Sequence, residues 1–282
     1  MITMLSPNQY QKLRTIFRTM DHDLVIDSIL AGKTPARIYV DNQDSPTAAA
    51  TWFNFRIIIA GNPSVVVFNH ELNKLFADEV IPQAIKAGFD GFALYYSPDQ
   101  WANQIGVLFT DRILVRGLRY YLVCKKLQLD WRASLPAGFD LLPVDFNLMA
   151  RNDLKNMDDL RLEMQSERSS VEDFLEHSFG FCLVHDHSLV SWCLSEYNCG
   201  ERCEVGVATQ NKFRRLGLAT IVTSALVEHA LTHGIRQIGW HSWANNPGSI
   251  ALARRVGFVL EKEYPAYFCL YENIVEKSIE EG

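Results

Sequence analysis

Apolar residues alternate from Cys203 to Thr209 and then recur at helical spacing from Ile221 to Leu231. Period two predicts a strand and period 3.6 a helix. Between them lie a polar turn, Gln210 to Lys212, and the basic stretch Arg214-Arg215-Leu216-Gly217-Leu218-Ala219. Read the same way, the chain predicts helices over 6–20, 24–30, 71–87, 99–108, 147–165, 171–177, 215–232 and 249–256. Gly88 and Gly234 close two of these, and Pro82 predicts a kink inside one. Strands are predicted over 36–40, 47–53, 55–60, 91–96, 113–115, 120–124, 139–144, 181–185, 189–196, 203–209, 236–243, 258–261 and 267–271.

The pattern repeats. The helix–Gly–strand run from Lys86 to Ser97 has a counterpart from Thr232 to Trp243 at an offset of about 146 residues. The same offset sets Tyr121 opposite Tyr267 in the closing strand, and the strands near 36, 47 and 55 match those near 181, 189 and 203. The reading is an α+β chain of two like units, each a mixed, mostly antiparallel twisted sheet flanked by helices. The first spans 1–130, Pro136 and Gly138 mark a linker over 131–138, and the second spans 139–282. Where the second unit has Arg214 to Ala219, the first has Asn62-Pro63-Ser64-Val65-Val66-Val67, with no arginine and no glycine at a helix start.

Composition narrows the classes. The 282 residues are 48% hydrophobic and 21% charged, with a net charge of −6, as expected of a chain with a sizeable core and no general affinity for nucleic acid. No apolar run is long enough to span a bilayer and the start lacks a signal pattern, so the expected address is the cytoplasm. Six cysteines form no C-x-x-C pair and sit mostly in apolar runs, which fits free thiols. Cys199 and Cys203 with His185 and His187 match no common zinc spacing, so no metal is expected.

A strand, a basic glycine-containing turn and a helix form an arrangement suited to a pyrophosphate. First-turn N–H groups lack internal partners, and the helix dipole adds partial positive charge. Gly217 keeps a side chain out of the approach, Ala219 keeps the next turn close, and Arg214 and Arg215 add forked donors. The competing reading is an ordinary helix start with solvated arginines.

R-x-x-G-x-A at Arg214, Gly217 and Ala219, followed by NNPGSIALARRVGF from Asn245 to Phe258, resembles the GNAT superfamily of acetyl-CoA-dependent N-acyltransferases. The matching positions of the second piece are Asn246, Ser249, Ile250, Leu252, Arg255, Gly257 and Phe258. The likeness covers roughly 139–273 and implies that the strand before the turn bulges and parts from the strand after the helix. Pantetheine would lie in that gap along Val207, Ala208 and Thr209. The amides from Arg214 through Leu216, Gly217, Leu218 and Ala219 to Thr220 would hold the pyrophosphate, with Asn246 and Ser249 on the far side.

The implied reaction is transfer of an acetyl group from acetyl-CoA to a primary amine through a tetrahedral intermediate, with a strand amide near Val207 stabilising the oxyanion. A carboxylate must take the ammonium proton, and Glu196 and Glu204 are the candidates, with His241 and Ser242 as rivals. The family often carries a tyrosine where this chain has Ala253, so Tyr264 or Tyr267 is a candidate to serve the leaving thiolate. The alternative is a non-catalytic acyl-CoA-binding protein. The acceptor is unspecified, and a monomer or small homo-oligomer is expected.

Overall fold

The computed structural model describes residues 2–272, which fall into two compact units. Twelve strands are present among the described residues: β1 (Thr3–Met4), β2 (Arg37–Val40), β3 (Ala48–Phe53), β4 (Arg56–Gly61), β5 (Gly91–Ser97) and β6 (Val115–Cys124) come first. β7 (Asp140–Pro143), β8 (Gly180–His185), β9 (Ser188–Cys199), β10 (Arg202–Thr209), β11 (Gln237–Trp243) and β12 (Val259–Leu270) follow. The first unit orders its strands β1-β2-β3-β4-β5-β12 and the second β7-β8-β9-β10-β11-β6. In each, three antiparallel pairings lead to one parallel pairing, β4–β5 or β10–β11, and an antiparallel strand closes the sheet. The repeat read from the pattern is a repeat of topology.

The closing strands depart from expectation. The first unit holds the chain up to Leu118 together with the chain from Tyr264 on, and the second holds Arg119–Glu263. Cys124 to Arg119 of β6 therefore pair with Ile238 to Trp243 of β11, and Ala266 to Leu270 of β12 pair with Tyr95 to Gly91 of β5. Each copy is closed by the strand expected in the other. Two copies of one topology offer equivalent edges, as in domain swapping, so either strand satisfies either ladder. The expected linker is not a linker either. Trp131 is buried in the second unit's core with its indole N–H on Glu228, and Arg132 forks onto the same carboxylate at 2.8 and 2.7 Å.

Local differences have local causes. The helix expected over 71–87 starts earlier, as Val66–Leu75, and passes through a wide turn, Phe76–Val80, into Ile81–Lys86. That turn lies just ahead of Pro82, which has no N–H to donate and whose ring crowds a regular ladder. The helix expected over 147–165 is split into Phe146–Met149 and Met157–Glu167. Between them Asn156 is left-handed (φ +66) and gives its amide to Leu189 O at 3.0 Å, while Lys155 pairs with Ser188. The paired short strands expected at 113–124 and 258–271 are the single strands β6 and β12.

The second unit's sheet is covered on both faces. Cys203, Val205 and Val207 pack with the 15-residue helix Leu218–Thr232, and Ala208, Trp192 and Leu194 pack with Met157–Glu167. Among the described residues no helix is long and apolar enough to cross a membrane. None of the six cysteines is in a disulfide, and only Cys199 is not buried. Burial pushes the Cys182 and Cys193 thiols up to about 12 and Cys269 to about 11, so these stay protonated near neutrality.

Two outcomes are expected. A fragment of residues 139–282 lacks β6, leaving the β11 edge and the core neighbours of Leu122 and Cys124 uncovered, and should lack the near-UV circular dichroism of a fixed core. Iodoacetamide at pH 8 should label one thiol per native chain, Cys199, and six after denaturation, counted by mass spectrometry.

Candidate active site

β10 and β11 pair at Arg202–Gln237, Cys203–Ile238 and Glu204–Gly239, and then part. The other edge of β10 stays paired with β9 as far as Thr209. In the first unit the equivalent strands remain together from Arg56–Ala93 to Ala60–Ser97, and Trp101 donates its indole N–H to Gly61 O at their end. One copy has a slot; the other is zipped shut. The slot opens into a cavity of about 750 Å³. Val207, Ala208, Thr209, Arg214, Arg215, Gly217, Ala219, Thr220, Asn246 and Ser249 line it, as do Phe213, Trp240, Gly248, Ala251, Leu252 and Arg255.

The helix Leu218–Thr232 begins at the rim of this cavity. Its N-cap is Gly217 at φ +81, and Arg215 is also left-handed at φ +67, a conformation that non-glycine residues rarely hold. Left-handed residues interleaved in a turn direct successive N–H groups to one side and form an anion-binding nest. A Cβ on Gly217 would meet no protein atom within 4 Å, so the backbone conformation, not crowding by the protein, selects glycine. Within the turn, Arg214 N is bonded to Asn211 O and Thr220 N to Gly217 O. The amides of 215–219 are the set the turn's own backbone leaves over, narrower than the expected 214–220. This cradle beside two exposed arginines and Arg255 fits a diphosphate.

Not every predicted residue offers its side chain. Leu218 is 1% exposed and packs in the core, and Leu216 projects outward, so both contribute only main chain. Thr209 O already accepts from Arg214 Nε at 3.3 Å. Asn246 Oδ1 caps the helix Pro247–Val256 through Ser249 N at 3.1 Å, and Ser249 Oγ accepts from Trp240 Nε1 at 3.0 Å. Ser249 therefore fixes the indole that forms part of the cavity wall. Trp240 and Phe213 escaped the sequence reading because their apolar character is that of ordinary core residues.

The acids lie on the opposite face. Alternation along β10 turns Cys203, Val205 and Val207 to the helix Leu218–Thr232, and Glu204, Gly206 and Ala208 to the helix Met157–Glu167. Glu204 is buried, with Oε1 3.2 Å from His241 Nε2. Tyr121 stacks on His241 at 4.8 Å, and its hydroxyl accepts from Gln237 Nε2 at 2.9 Å. Burial pushes the Tyr121 hydroxyl pKa up. Gly239 makes room for the group: a Cβ there would come 2.9 Å from both Glu204 Cγ and Tyr121 Cε2.

Glu196 reaches the same face differently. β9 and β10 pair at Tyr197–Glu204 and next at Ser195–Val205, leaving Glu196 as an extra residue. The irregularity expected in β10 thus belongs to β9. Ser242, a rival for the proton, is buried with its hydroxyl 3.2 Å from Trp243 O. Tyr264 and Tyr267 belong to the first unit, against His22, Tyr95 and Tyr96.

A family model described as GNAT acetyltransferase matches residues 14–267. An uncharacterized N-acetyltransferase of Bacillus subtilis (strain 168), YdfB, is 26% identical over 271 residues, covering 94% of this chain and 97% of its own. A GCN5-related N-acetyltransferase-like protein from Streptococcus suis superposes with a TM-score of 0.67 at 23% identity, covering 93% of this chain and 98% of that one. A tandem GNAT protein from the clavulanic acid biosynthesis pathway superposes at 0.57 with 12% identity, covering 95% and 97%. These structural likenesses are likenesses of fold; the family match, which runs through both units, carries the assignment. A slot beside an anion cradle, in a chain matched along nine-tenths of its length, leads to one conclusion: the chain belongs to the GNAT acetyltransferase family and is an acyltransferase.

Proposed function

We propose that the chain transfers an acetyl group from acetyl-CoA to a primary amine. The observation that carries this reading is the parting of β10 from β11 beside a helix start in which Arg215 and Gly217 are left-handed. The amides of 215–219 would hold the pyrophosphate, with Arg214, Arg215 and Arg255 supplying charge. The edge of β10 from Val207 to Thr209, which β11 no longer pairs, would run beside the pantetheine arm, with Asn246 across the cleft. Acetyl-CoA supplies an activated carbonyl; an amide near Val207 would accept the charge that develops on its oxygen.

A primary ammonium has a pKa of about 10.4 and must shed a proton before it attacks. On the acceptor side the chain offers Glu196 and Glu204, and a groove there is lined by Asp159 and Glu163. Two carboxylates against the one guanidinium of Arg214 in that groove favour a cationic acceptor over an anionic one. Ala253 is fully buried between the helices Leu218–Thr232 and Pro247–Val256 and does not line the cavity. No acid is placed at that position, so the thiolate takes its proton from the acceptor or solvent, a tolerable route for a good leaving group. Cysteines outside any disulfide favour the cytoplasm, and a chain with two copies of the fold serves as a monomer or small homo-oligomer.

Calorimetry should find one acetyl-CoA per chain, because the first unit's ladder is closed. Gly217→Glu should weaken that binding at least about tenfold, about 1.4 kcal/mol, by strain and like charge in the cradle. Binding that ignored this change would sink the reading, as would absence of thiol release with a panel of a diamine, an amino acid, an aminosugar and a lysine peptide. Ala253→Tyr should not raise turnover; it should lower stability by about 1–3 kcal/mol in urea titration, because a ring must enter a filled core.

A further inference from the structure

We propose that Trp192 is a specificity residue for the acceptor: its indole N–H bonds a neutral oxygen in the body of an amine that carries a second ammonium. The inference rests on the acetyl-transfer reading above and deepens it by naming the acceptor's class. What carries it is an indole N–H that is buried without a partner, on a residue that walls the acidic groove. Elsewhere in the chain tryptophan meets this need. Trp52 donates to Asn54 O, Trp101 to Gly61 O, Trp131 to Glu228 and Trp240 to Ser249 Oγ, all at 3.0–3.2 Å. Trp192 is 4% exposed, yet its Nε1 finds no acceptor among the described residues. A buried donor left in that state is costly. Had the core asked only for a large apolar ring, phenylalanine would fill the place without the cost.

The strands bring this ring to the groove. Trp192 lies directly across from Ala208 in the β9–β10 ladder, and alternation turns both toward the helix Met157–Glu167. Ala208 sets only a methyl beside the indole, and a groove of about 480 Å³ runs between the ring and that helix. On the helix side Asp159 and Glu163 stand one turn apart, with Leu162, 67% exposed, beside them. Gln210 Nε2 donates to Asp159 Oδ2 at 2.6 Å, which fixes that carboxylate and, being neutral, leaves its charge in place.

Three kinds of wall call for three features in one molecule. Two carboxylates favour an ammonium, Leu162 a methylene spacer, and the indole an oxygen that can accept. An acceptor bearing a carboxylate meets like charge, and a plain alkyl diamine leaves the N–H unmet. Ala208 follows Val207, whose amide faces the reacting carbonyl on the proposed reading, and one strand residue advances about 3.3 Å. The oxygen read by Trp192 is therefore a few bonds from the nitrogen that is acetylated, and the second ammonium lies farther toward the helix. The class is an ether- or hydroxyl-bearing diamine.

The test uses the full chain with CoA bound and two diamines of equal length and charge, bis(aminoethyl) ether and pentanediamine. The indole N–H resonance of Trp192, assigned through its own backbone, is followed by NMR during each titration. The ether should move it downfield, as a new hydrogen bond does, and pentanediamine should not. In thiol-release assays with acetyl-CoA the ether should be favoured about fivefold or more in kcat/KM, through KM. Trp192→Phe should bring that ratio to within about twofold of one, and the ether with one amine removed should be about threefold poorer for want of the second charge. A resonance that moves with both diamines or with neither would overturn the proposal, as would an ether preference that survives Trp192→Phe. If that variant does not fold, the wild-type titration decides alone. Absence of thiol release with every amine would remove the acetyl-transfer reading instead, a failure the indole resonance does not share.

Discussion

A parallel ladder that stops at Glu204 and Gly239 leaves backbone groups of two strands facing each other across a gap. Such groups are costly when buried and unpaired, about 1–3 kcal/mol apiece, so a sheet parts only where something else bonds them or holds the strands off. Here both kinds of device are present. On one face Glu204, His241 and Tyr121 fill the fork, admitted by Gly239; on the other, Ser249 pins Trp240. The first unit is the control within the same chain: its ladder continues to Ala60–Ser97 and no slot forms.

The anion cradle depends on this parting as much as on its own residues. A left-handed Gly217 and Arg215 orient amides, yet those amides serve a long ligand only if the strand leading into them has a free edge. The arginines add charge from flexible, solvated side chains, whereas the backbone supplies fixed donors that need no reorganisation. Acid chemistry is kept to the face of the sheet away from the cradle's helix. On the proposed reading, that division would let one strand, β10, take a polyanionic ligand along its edge and a cationic one across its acidic face without bringing their charges together.

Doubling the fold within one chain had a structural consequence that motif reading does not reach. Equivalent closing strands permit exchange, and the exchange occurs, so neither half of the sequence holds all the strands of one unit. β6 and β12, read as pairs of short strands, are long because each belongs to both units.

Much was legible in the pattern of residues. Alternation located the strands, and the glycines at 88, 217 and 234 marked helix ends, because a local conformation with φ above zero is met by glycine at little cost. The basic turn ahead of the helix Leu218–Thr232 was legible for the same reason: its requirements lie within a few consecutive residues. The breaks at Asn156 and ahead of Pro82 were less so, since a tertiary bond to Leu189 and a wide turn override helical spacing there. Ala253 read as a vacancy in a site and is a contact in a core, a distinction of neighbours that no spacing records. By itself the sequence determined the elements, the repeat and the basic, glycine-capped turn ahead of the helix, all products of short-range stereochemistry. Only the tertiary structure decided which strand closes each sheet and where the ladder stops, because those are matters of pairing between distant segments.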